Sequence, residues 1–350
     1  MNNPFIKIPL EEKIIFSRHL SMAIKSGMPI LDALKFLKGQ TKSKILLKIL
    51  DEAILEVGNG QFLSQSLENY RYLFGDLFIN IIKIGETSGT LSENLLYLAQ
   101  ELKKKHEFNG KVKSALIYPA VILVATLGLI LLLILFVFPK ILPIFQALQM
   151  ELPLSTKILI GIVNFVSAYW IIILVGLLIF FIASWFLMKT NRVRFSIQWL
   201  FLKIPFFGKL IRNINLFNFT RSVGLLLKSG VKIVDTLLIT SNSFTNLVYK
   251  KELQAMSETI RKGEQISHYL KTHQRLFPSM LANMIEIGEN TGNLTDNLFY
   301  LSEYYEAEVD ETVKNLGVIL EPMLLILIGL MVGFIALSVI TPIYQSSQGF

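Results

Sequence analysis

The chain has 350 residues, 52% hydrophobic and only 17% charged, with a formal net charge of +8 and a mean hydropathy of +0.53. That balance excludes an ordinary soluble domain, and the length leaves room for about two to three domains. The absence of cysteine excludes disulfides, thiolate metal sites and a cysteine nucleophile.

The first twelve residues carry Pro4 and Pro9 and no long apolar run, so they do not form a secretory signal peptide. Leu10 to Lys25 places Ile14, Ile15, Leu20, Met22 and Ala23 on one helical stripe. Gly27 suits a left-handed cap on that helix, and Pro29 suits the first turn of the next. Ser43 to Val57 is amphipathic, with Ile45, Leu46, Ile49, Leu50, Ala53, Ile54 and Val57 at helical spacing. Gly58, Asn59 and Gly60 end it, a short helix follows over 61–69, and Gly75 marks a turn. Asp76 to Gly85 reads as a nearly apolar helix. Leu91, Leu95, Leu98 and Leu102 then begin a long helix toward Lys113. Residues 1–113 therefore predict a bundle of about six helices.

Ser114–Phe138 contains no charge, nor does Ile158–Met188, and the chain is uncharged from Pro322 to its last residue. About 20 apolar residues suffice to cross the hydrocarbon core as a helix, so the expected spans are 114–138, 158–188 and 317–343. The Lys and Arg flanks orient them. Lys103, Lys104, Lys105, Lys111 and Lys113 precede the first span, and Lys189, Arg192, Arg194, Lys203, Lys209 and Arg212 follow the second. The 139–157 loop holds only Lys140, Glu151 and Lys157, and the 344–350 tail holds no charge. The N-terminus and residues 189–316 are expected to be cytoplasmic, and the loop and the C-terminal tail to be outside. The basic clusters sit where anionic headgroups would lie, so membrane lipids rather than nucleic acid explain much of the net charge.

After the second span, Trp199 and the run Ile204-Pro205-Phe206-Phe207-Gly208 lie among basic residues, as expected of a segment at the membrane interface. From there the chain repeats itself. The stretch Ile84-Gly85-Glu86-Thr87-Ser88-Gly89-Thr90-Leu91-Ser92-Glu93-Asn94-Leu95-Leu96-Tyr97-Leu98 recurs at 287–301 with 9 of 15 positions identical, at an offset of 203. The same offset aligns Phe16-Ser17-Arg18 with Phe219-Thr220-Arg221, Lys25-Ser26-Gly27 with Lys228-Ser229-Gly230, and Gly60 with Gly263. Phe74 falls on Phe277, Pro119 on Pro322 and Pro139 on Pro342. The chain is a duplication without net insertion, so residues 189–316 predict a second bundle of the first kind.

Two glycines flank the polar residues in each copy of the repeated stretch: Gly85 and Gly89, Gly288 and Gly292. The expected structure is a turn between helices, with the acid (Glu86 or Glu289), Ser or Thr capping the helix that follows. A phosphate loop is excluded because no Lys follows the second glycine. Pro119 and Pro322 are expected in the first turn of spans one and three, where a missing N–H costs nothing. Glu321 stands at a span boundary, where it either reaches the interface or pairs with another chain or helix. His19, His106, His268 and His273 lack the i, i+3 or i+4 partner of a helical metal site, and no nucleophile–base constellation is present. The chain thus reads as all-α and polytopic, with two homologous cytoplasmic bundles and three spans. It is not read as an enzyme and has no expected cofactor.

The doubled FxR…KSG…IxD and IGExxGxLxxNLxYL patterns, set on three spans with prolines near the start of the first and third, resemble the type II secretion system F family. That resemblance covers about 16–343. It implies an inner-membrane platform whose cytoplasmic domains meet a hexameric secretion or pilus ATPase. Its membrane part would meet pilin or pseudopilin subunits and other inner-membrane components, and homo-oligomers are implied. Gly27, Gly230, the two glycine–glutamate corners, Pro119, Glu321 and Pro322 would then serve structure and coupling. Pro29 in the first copy is Lys232 in the second, so the two turns need not match. A small transporter or channel subunit is the competing class. It calls for polar or charged groups inside the spans; the sequence supplies Asn164, Ser167 and Ser184 in the second, but no acid or base at mid-depth.

Overall fold

The computed structural model describes residues 8–137, 139–140, 143, 154–205 and 207–348. Among them the regular structure is α-helical, apart from one short π-helical segment. The chain divides into two units, one of residues 1–111 with 195–310 and the other of residues 112–194 with 311–350.

In the first unit, copy one runs α1 (Leu10–Lys25), α2 (Ile30–Gln40), α3 (Lys44–Gly58), α4 (Leu63–Glu68), the single turn α5 (Arg71–Phe74), α6 (Asp76–Ser88) and the start of α7 (Leu91–Leu132). α8 (Leu154–Leu187) belongs to the apolar part, and α9 (Asn191–Lys203) leads into copy two. That copy comprises α10 (Phe207–Lys228), α11 (Ile233–Ser243), α12 (Leu247–Arg261), α13 (Ile266–Thr272), α14 (Ser279–Thr291) and the start of α15 (Leu294–Gln348). Shifting α2, α3 and α6 by the repeat offset gives the bounds of α11, α12 and α14.

Equivalent aromatics fill the two cores. Phe16, Phe74 and Phe78 meet at ring-centroid distances of 4.8 to 6.0 Å, and Phe219 meets Phe277 at 6.0 Å. Burying such a side chain is worth about 1.5–3 kcal/mol. Leu95 and Leu98 of α7, and Leu298 and Leu301 of α15, are fully buried, as the leucine register predicts. Copy two packs α10 and α11 against α6 of copy one. Leu225 and Leu226 thereby enter the first copy's core, with Val231 and Ile239 packed against it.

Each copy's first helix ends in a Schellman motif. The Gly27 N–H donates to Ile24 O (3.0 Å) and the Met28 N–H to Ala23 O (3.1 Å). Gly230 donates to Leu227 O (2.9 Å) and Val231 to Leu226 O (3.0 Å). Both glycines take the left-handed conformation that this cap needs, with φ of 88° and 86°. Pro29 and Lys232 then share nearly one backbone conformation, φ −54°, ψ 144° and φ −62°, ψ 145°. The proline–lysine difference therefore does not make the turns unlike. Pro29 precedes the first helical residue instead of lying in the first turn, because an extended conformation there suits either side chain.

In the second unit, α7 and α8 carry segments long and apolar enough to cross a membrane, Ala120–Val137 and Thr156–Leu187, and α15 carries the shorter apolar stretch Pro322–Ser338. Val124, Phe180 and Leu330 are exposed, as lipid-facing side chains would be. Leu159 and Val163 are buried against Leu133, Ile134, Phe334 and Ile335. α7 runs unbroken through position 119, and α15 through 322 and 342. Pro119 and Pro322 are therefore interior, not first-turn, residues, because the preceding helix continues into each apolar segment. Each proline leaves the carbonyl four residues earlier without its usual donor. The π-helical segment Leu133–Val137 lies just ahead of Pro139, where the same lesion has to be absorbed. The side chains of Pro119 and Glu321 lie outside the described residues, as does most of the 139–157 loop.

Candidate functional site

The two glycine–glutamate corners are alike in detail. α6 continues through Gly85, Glu86, Thr87 and Ser88, and only Gly89 turns, with φ of 72°. α14 continues through Gly288 to Thr291, and Gly292 turns with φ of 75°. The expected polar turn is thus shorter than the sequence suggests. The first glycine of each pair answers to close packing, not to an unusual φ. A Cβ on Gly85 would lie 2.8 Å from Leu91 Cα, and one on Gly288 would lie 2.8 Å from Leu294 Cα. The next long helix starts directly against these glycines, so its starting point is fixed by a surface without a side chain.

The glutamates cap a helix, but an earlier one than expected. Glu86 Oε1 accepts from the Leu63 N–H at 2.6 Å and Oε2 from the Ser64 N–H at 3.0 Å, at the start of α4. Glu289 Oε1 accepts from Ile266 at 2.7 Å and Oε2 from Ser267 at 3.1 Å, at the start of α13. The first amides of a helix have no intrahelical acceptor and favour negative charge. Phe62 and Gln265, which precede these helices, make no side-chain cap, so the distant carboxylate does so. Ser88 instead donates back to Ile84 O at 2.7 Å.

Two further interactions were missed in the sequence. Arg221 of α10 is buried at 8% exposure against Glu101 of α7 at 7%. Its Nη2 lies 2.7 Å from Glu101 Oε1 while Nε engages Oε2, and Nη1 donates to Ser302 Oγ at 3.2 Å. This bidentate pair ties copy two to copy one. Its signal was the repeated FxR, yet the equivalent Arg18 is exposed, and Glu101 aligns with Tyr304. In the second unit, Thr156 Oγ1 donates to Ser338 O at 2.8 Å, and both residues are buried. Pro342, four residues beyond Ser338, has no N–H to give that oxygen.

Gly27 and Gly230 stand at the ends of α1 and α10, apart from the corners, and Pro322 is exposed on α15. Among the described residues, no three His, Asp or Glu side chains form a group able to hold a metal. These residues carry hydrogen bonds and ion pairs that fix helix against helix.

The fold and the paired corners define a class: a helical protein of two equivalent bundles, each continued into an apolar helix. The family model described as type II secretion system (T2SS), protein F matches residues 16–139 and again 219–342. The chain is 34% identical over 336 residues to the type IV pilus assembly protein PilC of Thermus thermophilus, covering 96% of this chain and 82% of that one. It is 29% identical over 333 residues to PilC of Pseudomonas aeruginosa (95% and 88%) and 30% over 334 residues to the type II secretion system protein F of Vibrio cholerae (95% and 82%). The chain belongs to the type II secretion system protein F family, and is a membrane component of a pilus- or secretion-type machine.

Proposed function

We propose that the chain is the non-enzymatic inner-membrane platform of its machine, coupling a cytoplasmic hexameric ATPase to the addition of pilin or pseudopilin subunits to a fibre. The observation that carries this reading is the build of α7 and α15. Each starts at a glycine corner, is seated by a capped neighbour, and continues as one helix into an apolar segment. Such helices are suited to pass a displacement of the bundle into the bilayer. The names of the relatives, pilus assembly and secretion proteins alike, support the same role. In this reading the bundles at 1–113 and 189–316 are cytoplasmic, the spans are 114–138, 158–188 and 317–343, and the 139–157 loop and the 344–350 tail are outside, as the basic flanks favour.

Crosslinking in intact membranes followed by affinity purification tests the role. Recovery of a secretion-type ATPase on the bundles and of a pilin-like subunit on the spans is expected. Recovery of neither from an assembling machine would overturn it.

A further inference from the structure

The joint between the two copies is not two-fold. Copy two offers its α10–α11 surface, through Leu225, Leu226, Val231 and Ile239, and copy one receives it on α6 and α7. Across it Arg221 meets Glu101, Lys228 Nζ stands 4.5 Å over the Tyr97 ring, and Ile239 lines the same crevice as Ile84. Because the copies share one fold, each also carries the half of the joint that it does not use. The first copy's α1–α2 surface is the counterpart of the surface copy two offers, and the second copy's α14–α15 surface is the counterpart of the one copy one presents.

Both unused halves expose apolar side chains at matching positions, although Ala23 and Met28, aligned with Leu226 and Val231, are taken up by the first copy's own core. Met22, aligned with the buried Leu225, is 61% exposed, and Phe36, aligned with Ile239, is 48% exposed. On the other side Ile287, aligned with Ile84, is 51% exposed, and Tyr300, aligned with Tyr97, is 56% exposed. Their charges are complementary. Arg18 and Lys25 are exposed on α1, while Glu303 is exposed on α15, one turn from Tyr300. Lys25 aligns with Lys228, the lysine that covers Tyr97.

We propose that the α1–α2 surface of one molecule docks on the α14–α15 surface of a second copy of this chain, repeating between molecules the apolar and lysine–tyrosine contacts of the internal joint but not its Arg221–Glu101 pair, since Glu101 aligns with Tyr304. Phe36 then packs at Ile287, and Lys25 covers Tyr300. A head-to-tail contact of this kind has one donor and one acceptor surface per chain, so it closes into a ring or continues into a longer array. The inference rests on the duplication and the internal joint, and is independent of the ATPase and pilin partners proposed above.

The cysteine-free sequence makes the test direct. Two differently tagged full-length forms, Phe36→Cys and Ile287→Cys, are co-expressed and treated in membranes with a short bismaleimide, with Ile84→Cys plus Ile239→Cys in one chain as the internal control. The expected product is the mixed-tag dimer, without dimers of either form alone. Adding Met22→Glu to the Phe36→Cys form should lower its yield at least tenfold while the chain remains in the membrane, since the residue is exposed. Dimers of the Phe36→Cys form with itself, or no mixed dimer where the control pair links, would overturn the proposal.

Discussion

The Thr156 hydroxyl donates to the Ser338 carbonyl at 2.8 Å, joining α8 to α15 at the oxygen that Pro342 leaves open. A helix that carries a proline in an apolar segment needs a donor from elsewhere, and a hydroxyl on a neighbouring helix supplies it. Thr156→Val keeps the side chain's shape and removes the donor. It should lower the melting midpoint of the detergent-solubilised protein, by an amount equivalent to about 0.6–2 kcal/mol. Thr156→Ser should retain most of the wild-type value.

Glu86 and Glu289 are expected to matter for folding before anything else. Glu86→Ala leaves two helix-start amides without their acceptor and should cost about 1–3 kcal/mol. Glu289→Ala should cost a similar amount, because its two bonds are the same. The sites belong to separate copies, so the double variant should add the two costs to within about 0.5 kcal/mol. Denaturant titration followed by helical circular dichroism measures all three.

The glycines of each corner should separate by mechanism. Gly85→Ala and Gly288→Ala place a methyl 2.8 Å from a backbone Cα and force the start of α7 or α15 to move, costing about 1–3 kcal/mol or more. Gly89→Ala and Gly292→Ala meet no neighbouring atom and pay only for a left-handed alanine, about 1 kcal/mol. Gly128→Ala, in open space inside α7, should cost nothing and gain up to about 1 kcal/mol, because glycine weakens a helix interior. The same titrations order these variants.

This contrast also shows what the sequence could and could not disclose. The repeat made the corners, their equivalence and most helix bounds legible, since periodicity and a constant offset are local properties. It did not reveal that Gly85 faces Leu91, because an interior helical glycine and a turn glycine look alike in one dimension. Nor could it show that Glu86 serves α4, whose amides lie 22 and 23 residues earlier, when the rule for caps looks only to adjacent residues. Arg221 was visible as one half of an aligned pair with Arg18. Its burial depends on Glu101, a partner 120 residues away with no counterpart in the other copy. Pro119 and Pro322 were placed by the start of hydrophobicity, whereas the helices had begun well before it.

Lys13 gives the bundle a pH dependence. Burial, and then the nearby Lys105, lower its pKa from 10.5 to about 8, while its ammonium donates to Phe74 O at 3.2 Å. Glu68, Arg71 and Asp76 line the same cavity. The unfolded chain binds the Lys13 proton more tightly than the folded one, so this residue's contribution to stability rises between about pH 8 and 10.5. Lys13→Met should flatten the rise and be more stable than wild type near pH 7. Thermal melts across that range check both.

That the two copies act as one body, held by Arg221 and Glu101, has a direct test. The most direct measurement is fibre assembly or secretion by the host machine carrying Arg221→Glu, Glu101→Arg, or both changes. Each single variant buries like charges in contact, where even loss of one partner costs about 3–5 kcal/mol. The account predicts that each single variant loses output while the chain still reaches the membrane, and that the exchanged pair recovers part of it. Normal output from either single variant would contradict it.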